Sequence, residues 1–293
     1  MTVQSMILLG VKISIMLTVF ALGTKATPAD ATFLLRRPRD LTRALLSMYV
    51  LMPVLALILD LTFNLNPAVK IALVALSVSP VPPIFPNTSF KSHGRDDYTF
   101  GLLVATPLLA IIVIPIAMGV FQWVSGFSLQ MSARSVAGLV FTTILIPLLL
   151  GMALRTWALS LAERVAKPVG TFASILLLVC FLPILIGSAR TILSLFGDGT
   201  LLSMSVFALV GLAIGYFLGG PERENRSTLS LATATRHPGV AIAIAHTNFP
   251  QQKLVVPAVV LYLIVAGLLH AIASSWRARA GRTPTATRDR MAA

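Results

Sequence analysis

The chain has 293 residues, of which 56% are hydrophobic and only 11% are charged, and its formal net charge is +13. A soluble domain carries roughly 25% charged residues, so this composition excludes a soluble globular protein, whose surface needs more polar side chains. Apolar stretches near the ~20 residues that a bilayer requires recur along the whole chain. The composition therefore predicts an all-α polytopic membrane protein.

Proline, glycine and charged residues divide the chain into nine apolar segments, each of which is predicted to cross the membrane. The first is expected to be a retained span and not a signal peptide, because it is long, contains Lys12 and leads into basic residues. The tail, residues 276–293, is basic and has no apolar cluster, which predicts disorder on the cytoplasmic side. The predicted crossings are 4–24, 42–62, 68–90, 98–121, 136–154, 168–188, 200–219, 228–249 and 254–275.

The positions of lysine and arginine predict the orientation, because cytoplasmic loops are enriched in both. With the N-terminus outside, 17 of the 23 basic residues lie on the cytoplasmic side and four lie outside, while Lys12 and Arg236 remain within the membrane. If segment 68–90 did not cross, the count would change to 8 inside and 13 outside. The charges thus favour a cell (inner) membrane protein with nine crossings and a cytoplasmic C-terminus. Attraction of the basic loops to anionic lipid headgroups explains the net positive charge. A nucleic acid is therefore not expected as a partner.

Two of the predicted crossings are interrupted in a way that a continuous helix does not tolerate. Broken helices in corresponding positions of two halves indicate the binding site of a secondary transporter. Unwound backbone leaves N–H and C=O groups free, and the N-termini of half-helices favour anions. Two ordinary proline kinks, repaired by neighbouring helices, are the alternative. The first break contains Pro80, Pro82, Pro83 and Pro86, and the second contains Arg236, His237 and Pro238.

The candidate substrate- and ion-binding residues lie at or beside these breaks. An arginine inside the membrane is costly, so Arg236 is expected to act as a built-in cation that attracts an anionic substrate. The alternative is a structural role, either an ion pair with Asp96 or Asp97 or hydrogen bonds to carbonyls freed at the breaks, although these two acids can equally cap the next helix. His237 is either a proton relay or substrate ligand, or a satisfied neutral histidine. The full candidate set is Pro82, Pro83, Asn87, Thr88, Thr99, Arg236 and His237.

Other classes of function have weaker support in the sequence. The four histidines lack the spacing of a metal site, and no pair of membrane-embedded aspartates or serine–histidine pair stands out. An enzyme, a bound metal and a cofactor are therefore not expected. A passive channel or a non-transporting membrane protein on the same fold is the alternative to a carrier for a small organic anion. A channel would favour polar faces on several helices, whereas most of these segments are almost purely apolar.

The order and spacing of these features resemble the bile acid:sodium symporter superfamily from about residue 20 to residue 274. That family has ten helices in two inverted five-helix repeats that contain two crossing broken helices. The resemblance implies that this chain lacks the first helix, so its 1–275 transporter domain divides into repeats of four and five helices, at about 1–122 and 134–275. The similar motifs are Phe20-Ala21-Leu22-Gly23, Arg36-Arg37-Pro38-Arg39, Pro53, Ser79-Pro80, the spacing from Gly94 to Pro115, and Gly239-Val240-Ala241.

The positions that match the family's sodium ligands depart from its pattern. The family's Ser-Asn pair falls on Phe85 and Pro86, and a one-residue slip would make Asn87 the asparagine. Its Glu falls on Ala232 and its Gln on Arg236. A hard cation needs oxygen ligands, which phenylalanine and alanine side chains lack, and a guanidinium would repel sodium. The resemblance therefore implies alternating-access transport, while these residues argue against sodium coupling.

Overall fold

The computed structural model describes residues 3–91, 95–125 and 133–280, and all regular structure within these ranges is helical. This confirms the predicted all-α class. Short non-helical connections join most successive helices, and a single 3-10 turn, Leu34–Arg36, precedes the third. The helices are α1 (Val3–Gly23), α2 (Pro28–Ala31), α3 (Pro38–Thr62), α4 (Pro67–Val78), α5 (Phe85–Lys91), α6 (Asp96–Ser125), α7 (Arg134–Trp157), α8 (Leu159–Leu193), α9 (Thr200–Leu218), α10 (Arg223–Ala234), α11 (Pro238–Asn248) and α12 (Val255–Ala280).

Six of these helices, α3, α6, α7, α8, α9 and α12, are long and apolar enough to cross a bilayer. Helices α1 and α4 contain shorter apolar stretches, and Lys12 is exposed on α1. Many large apolar side chains face outward, most of all on α8, where Phe172, Leu178 and Ile186 are exposed. Such a surface is stable in lipid and not in water, so the chain is a multi-pass membrane protein. Helix α12 extends through residues 276–280, and the remainder of the predicted tail, 281–293, lies outside the described residues.

Helix α3 is locally widened into a π-type turn over Leu46–Leu51. Pro53 follows this stretch and has no N–H to donate to a carbonyl four or five residues earlier. In the π pattern, the carbonyl five residues before Pro53 is that of Met48. The proline therefore frees a backbone acceptor in the middle of a membrane helix.

Glycines allow the closest approaches between helices. On α1 and α7, Gly23 and Gly151 lie so close together that a Cβ at either position would overlap the facing backbone. On α9, a Cβ at Gly215 would overlap the Leu229 carbonyl of α10. Small residues give membrane helices much of their van der Waals contact, because apolar burial provides no drive within lipid. These two contacts fix α1 against α7 and α9 against α10.

Replacing Gly151 with alanine is expected to destabilise the protein by about 1–3 kcal/mol, because the new methyl group would meet the Phe20 carbonyl and the Gly23 backbone. The matched control is Gly138→Ala on the same helix, where a Cβ would have no atom within 4 Å. Melting temperatures of the purified variants measure the difference. Equal melting temperatures for the two variants would contradict this account of the α1–α7 contact.

Candidate functional site

The first break separates α4 from α5. Helix α4 ends at Val78, and the chain is unwound from Ser79 until α5 begins at Phe85. The prolines in this stretch have no N–H groups, which prevents helical hydrogen bonding. The Ser79 hydroxyl donates to the Ala75 carbonyl at 2.7 Å, while the Ser79 carbonyl stays available at the C-terminal end of the half-helix. That end carries partial negative charge.

The second break separates α10 from α11 and meets the first. Helix α10 ends at Ala234, and α11 begins at Pro238. Between them, the backbone N–H of His237 donates to the carbonyl of Pro80 at 2.9 Å. The hydroxyl of Tyr262 on α12 donates to the Ala234 carbonyl at 2.5 Å, which pairs the last carbonyl of α10. The two predicted breaks thus lie against each other inside the helix assembly.

Arg236 lies at this junction and is fully buried. Its Nη1 donates to the Ser79 carbonyl and its Nη2 donates to the Met48 carbonyl, both at 3.0 Å. The Ser79 carbonyl lies at the end of the α4 half-helix. The Met48 carbonyl is the one on α3 that precedes Pro53 by five residues. A buried guanidinium requires such partners, because removing its hydration costs several kcal/mol or more. The positive charge is therefore compensated by backbone dipoles that two helix irregularities make available.

Of the two predicted structural alternatives for Arg236, hydrogen bonding to freed carbonyls is confirmed, whereas an ion pair with Asp96 or Asp97 is wrong for the described residues. Asp97 pairs with the adjacent Arg95, at 2.6 Å between its Oδ1 and the arginine Nε. The ion pairs between described residues do not include Arg236, and its own Nε has no hydrogen-bond partner there. The guanidinium therefore keeps a net positive charge, and its Nε–H has no partner among these residues.

His237 caps the N-terminus of α11. Its Nδ1 accepts a hydrogen bond from the Val240 N–H at 3.4 Å. An accepting Nδ1 carries no proton, so the proton of the neutral imidazole is on Nε2. This Nε2 is buried and has no partner among the described residues. The second break thus provides two unpaired N–H donors on adjacent residues.

A cavity of about 400 Å³ opens between the two breaks, α1, α8 and α12. Arg236 and His237 are the charged or titratable side chains among its lining residues, and the rest of the wall is mostly apolar. Its volume is in the range of small-molecule sites, which combine apolar walls with a few polar groups. The apolar wall is formed mainly by Val11, Ile15, Leu177, Leu178, Phe181 and Leu263.

Most of the predicted site residues lie together at this cavity. Its lining includes Pro82, Pro83, Asn87, Arg236 and His237.

Two predicted residues lie elsewhere. Thr88 bonds within α5, where its hydroxyl donates to the Ile84 carbonyl at 3.3 Å. Thr99 is buried behind α5, with its hydroxyl 2.9 Å from that of Ser89. Neither threonine lines the cavity.

Two of the positions onto which the resemblance places the family's sodium ligands hold apolar side chains. Phe85 and Ala232 are both fully buried. Next to Ala232, the hydroxyl of Thr233 makes a short hydrogen bond with that of Ser47, which joins α10 to α3. Among the described residues, no group of three or more His, Cys, Asp or Glu side chains could hold a metal ion.

The comparisons with known proteins all indicate the same family. The sequence profile described as "Sodium Bile acid symporter family" matches residues 12–195, a range that contains the first break and ends before the second. The "Sodium-dependent organic anion transporter" of Rattus norvegicus is 25% identical over 263 residues, covering 87% of this chain and 67% of that protein. The "Probable sodium/metabolite cotransporter BASS3, chloroplastic" of Oryza sativa subsp. japonica is 24% identical over 263 residues, covering 87% and 61%.

The human "Sodium/bile acid cotransporter 4" is 24% identical over 225 residues, covering 74% of this chain and 51% of that protein. The chain thus spans from about half to about two thirds of the length of these relatives. The profile match covers more than half of the chain and includes the seven complete helices α2 to α8. The chain therefore belongs to the sodium bile acid symporter family, whose members are membrane transporters and not enzymes.

Proposed function

We propose that this protein is a secondary transporter that carries a small amphipathic organic anion by alternating access, with the substrate bound where the two broken helices meet. The observation that carries the proposal is the buried charge of Arg236. Among the described residues its guanidinium is partnered only by backbone carbonyls, and Arg236 and His237, whose Nε and Nε2 have no partner there, both line a largely apolar cavity. An anionic headgroup would satisfy both donors.

The cavity wall determines what the rest of the substrate should be. Leu177, Phe181 and Leu263 offer apolar contact, so the body of the substrate is expected to be hydrophobic. Asn87, on the opposite break, can donate or accept one further hydrogen bond. A carboxylate or sulfonate on an apolar skeleton fits this arrangement. The relatives named as organic anion and bile acid transporters support the same class.

We also propose that transport does not depend on sodium, because Arg236 supplies the positive charge at the junction permanently. The guanidinium holds the end of α4 and the freed carbonyl of α3 together. Backbone carbonyls of this kind are the oxygen ligands that a hard cation would use. Several relatives are named sodium-dependent, so this chain would differ from them at the second break.

Substrate binding and counterflow test the proposed function. The purified protein should be stabilised by amphipathic carboxylates or sulfonates and not by uncharged analogues with the same apolar skeleton, because only the anions satisfy the two donors. In liposomes loaded with a stabilising anion, uptake of the labelled compound should saturate and accelerate by counterflow. Equal stabilisation by the uncharged analogues would contradict the proposed site. Unsaturating conductance would indicate a passive channel.

For the architecture, we propose nine crossings in a cell inner membrane, with the N-terminus outside and the C-terminus in the cytoplasm. The six long helices, α1 and the two broken pairs α4–α5 and α10–α11 would form them. Two inverted repeats, residues 1–122 and 134–275, would then place one broken helix in each half of a single transporter domain, as in other carriers with broken helices.

A reporter fused after Arg290 is expected to be cytoplasmic, and one fused before Met1 is expected to be external. An odd number of crossings must place the two ends on opposite sides, and the bias in basic residues decides which end is inside. Alkaline phosphatase and fluorescent-protein fusions report the two sides independently. If both ends gave the same side, the proposed nine crossings would be wrong.

A further inference from the structure

A second cavity, remote from the broken helices, lies at the N-terminal end of α3. It has a volume of about 440 Å³ and is walled on one side by α3 and on the other by the turn from α9 to α10. A neighbouring cavity of about 340 Å³ shares Arg39 and Arg43 with it and extends to Thr42. Three arginines line the cavity of about 440 Å³: Arg37, Arg39 and Arg43.

The acidic residues at this site do not balance its arginines. Glu222 is already paired, with its Oε2 at 2.5 Å from Nη1 of Arg95. Asp40 is 4.0 Å from Arg37 and 3.6 Å from Arg43, so it makes only loose contacts with both. Arg39 has no ion pair among the described residues. The site thus has excess positive charge beside the N-terminus of a long helix, which adds to the attraction for an anion.

The opposite wall comes close to Arg43. Gly220 has a φ of +85°, a conformation that favours glycine, and its carbonyl accepts a hydrogen bond from Arg226 Nε at 2.6 Å. A Cβ at Gly220 would lie 2.7 Å from Nη1 of Arg43. Asn225, only 3% exposed, also lines the cavity, and its Oδ1 accepts no hydrogen bond from the described residues. A hydroxyl group on the ligand would satisfy this oxygen.

The outer face of α3 continues from this basic cavity as an apolar track. The exposed residues after Thr42 recur every four positions, and these four are between 40% and 52% exposed: Leu46, Val50, Val54 and Ile58. From Thr42 to Val54 the track runs about 18 Å along the helix. It enters a groove of about 280 Å³ between α3 and α6, lined by Val50, Val54 and Ile116 among others. An anionic site that leads into an apolar groove has the shape of a phospholipid.

We propose that this surface is a specific site for an anionic phospholipid with a hydroxyl-bearing headgroup. The phosphate diester binds Arg39 and Arg43, a headgroup hydroxyl faces Asn225, and an acyl chain lies along the outer face of α3. Basic pockets beside membrane helices bind anionic headgroups through the same contacts. A choline headgroup has no hydroxyl donor and brings a positive charge, so zwitterionic lipid should bind much less tightly.

Native mass spectrometry of the full-length protein in detergent, titrated with phosphatidylglycerol or phosphatidylcholine, tests this site. Phosphatidylglycerol should bind more tightly, and Arg39→Gln with Arg43→Gln should weaken it about thirtyfold, because each arginine near an anionic headgroup contributes about 1 kcal/mol. The matched control, Lys25→Gln with Arg36→Gln, removes two exposed charges that do not line the cavity and should leave binding unchanged.

Each alternative has its own outcome. An equal loss of phosphatidylglycerol binding in the control variant would show that surface charge attracts lipid without a site, and would overturn the proposal. Equal binding of phosphatidylcholine would do the same. If glycerol 3-phosphate or inorganic phosphate displaced the lipid at equal concentration, the ligand would be a soluble phosphate and the apolar track would have no part in binding. Arg39→Gln alone, at an exposed position, keeps the test valid if the double variant unfolds.

Discussion

Replacing Arg236 with glutamine is expected to reduce organic-anion uptake by at least about thirtyfold, because a hydrogen bond to a charged group contributes about 2 kcal/mol. Glutamine keeps an amide N–H that can reach one of the two carbonyls that Arg236 contacts, those of Met48 and Ser79. It removes the charge that the proposed site presents to the substrate. Uptake per folded molecule in liposomes, with melting temperature measured in parallel, separates the loss of charge from the loss of structure.

Two further substitutions of Arg236 separate the contribution of its charge from that of its hydrogen bonds. Alanine leaves both carbonyls buried and unpaired, at a cost of about 1–3 kcal/mol each, so Arg236→Ala should melt at a lower temperature and also lose uptake. Arg236→Lys keeps the charge but loses the planar fork that contacts two acceptors at once, so part of the uptake should remain. The matched control is Arg190→Gln, an exposed position on α8, which should transport normally. A folded Arg236→Gln protein with the uptake of the unmodified chain would exclude a role of this charge in binding.

The parts of this site that the sequence predicted depend on local chemistry. Prolines remove N–H groups and clash with the preceding turn wherever they occur, so the breaks at Pro80 and Pro238 were visible without any tertiary information. The cost of a charge in the membrane similarly singled out Arg236. Both breaks lie where they were predicted, and their direct contact, from the His237 N–H to the Pro80 carbonyl, agrees with crossing helices.

Freed backbone carbonyls were one of the predicted alternatives as partners of Arg236, because the breaks leave carbonyls unpaired. Which carbonyls these are could not be predicted, because those of Met48 and Ser79 lie on two other parts of the chain that only the tertiary fold brings together. A search for an acidic side chain favoured Asp96 or Asp97, but Asp97 has a nearer partner in Arg95. The cavity wall from α1, α8 and α12 was also missed, since apolar residues facing a cavity look the same in sequence as residues facing lipid.

Replacing sodium with choline at constant pH is expected to leave uptake by the unmodified protein unchanged. Phe85 and Ala232 contribute no oxygen ligand, and the guanidinium of Arg236 occupies the carbonyls at the junction. Initial rates of uptake into liposomes, with sodium or choline outside and the same anion, measure the dependence. Uptake that disappears in choline would contradict this prediction and would mean that backbone oxygens near Asn87 suffice to bind sodium.

Sodium dependence should instead appear in the double variant Ala232→Glu with Arg236→Gln. Removing the guanidinium frees the Met48 and Ser79 carbonyls, and the glutamate adds a carboxylate at a position that is now apolar. Together they offer a hard cation several oxygen ligands and one negative charge. Sodium should then stimulate uptake at least about fivefold, the lower end of typical coupling between two sites. Each single variant is the control, since Arg236→Gln alone lacks the carboxylate, and in Ala232→Glu alone the retained guanidinium still repels the cation. Stimulation by sodium in either single variant would show that the arginine and the alanine do not jointly replace a sodium site.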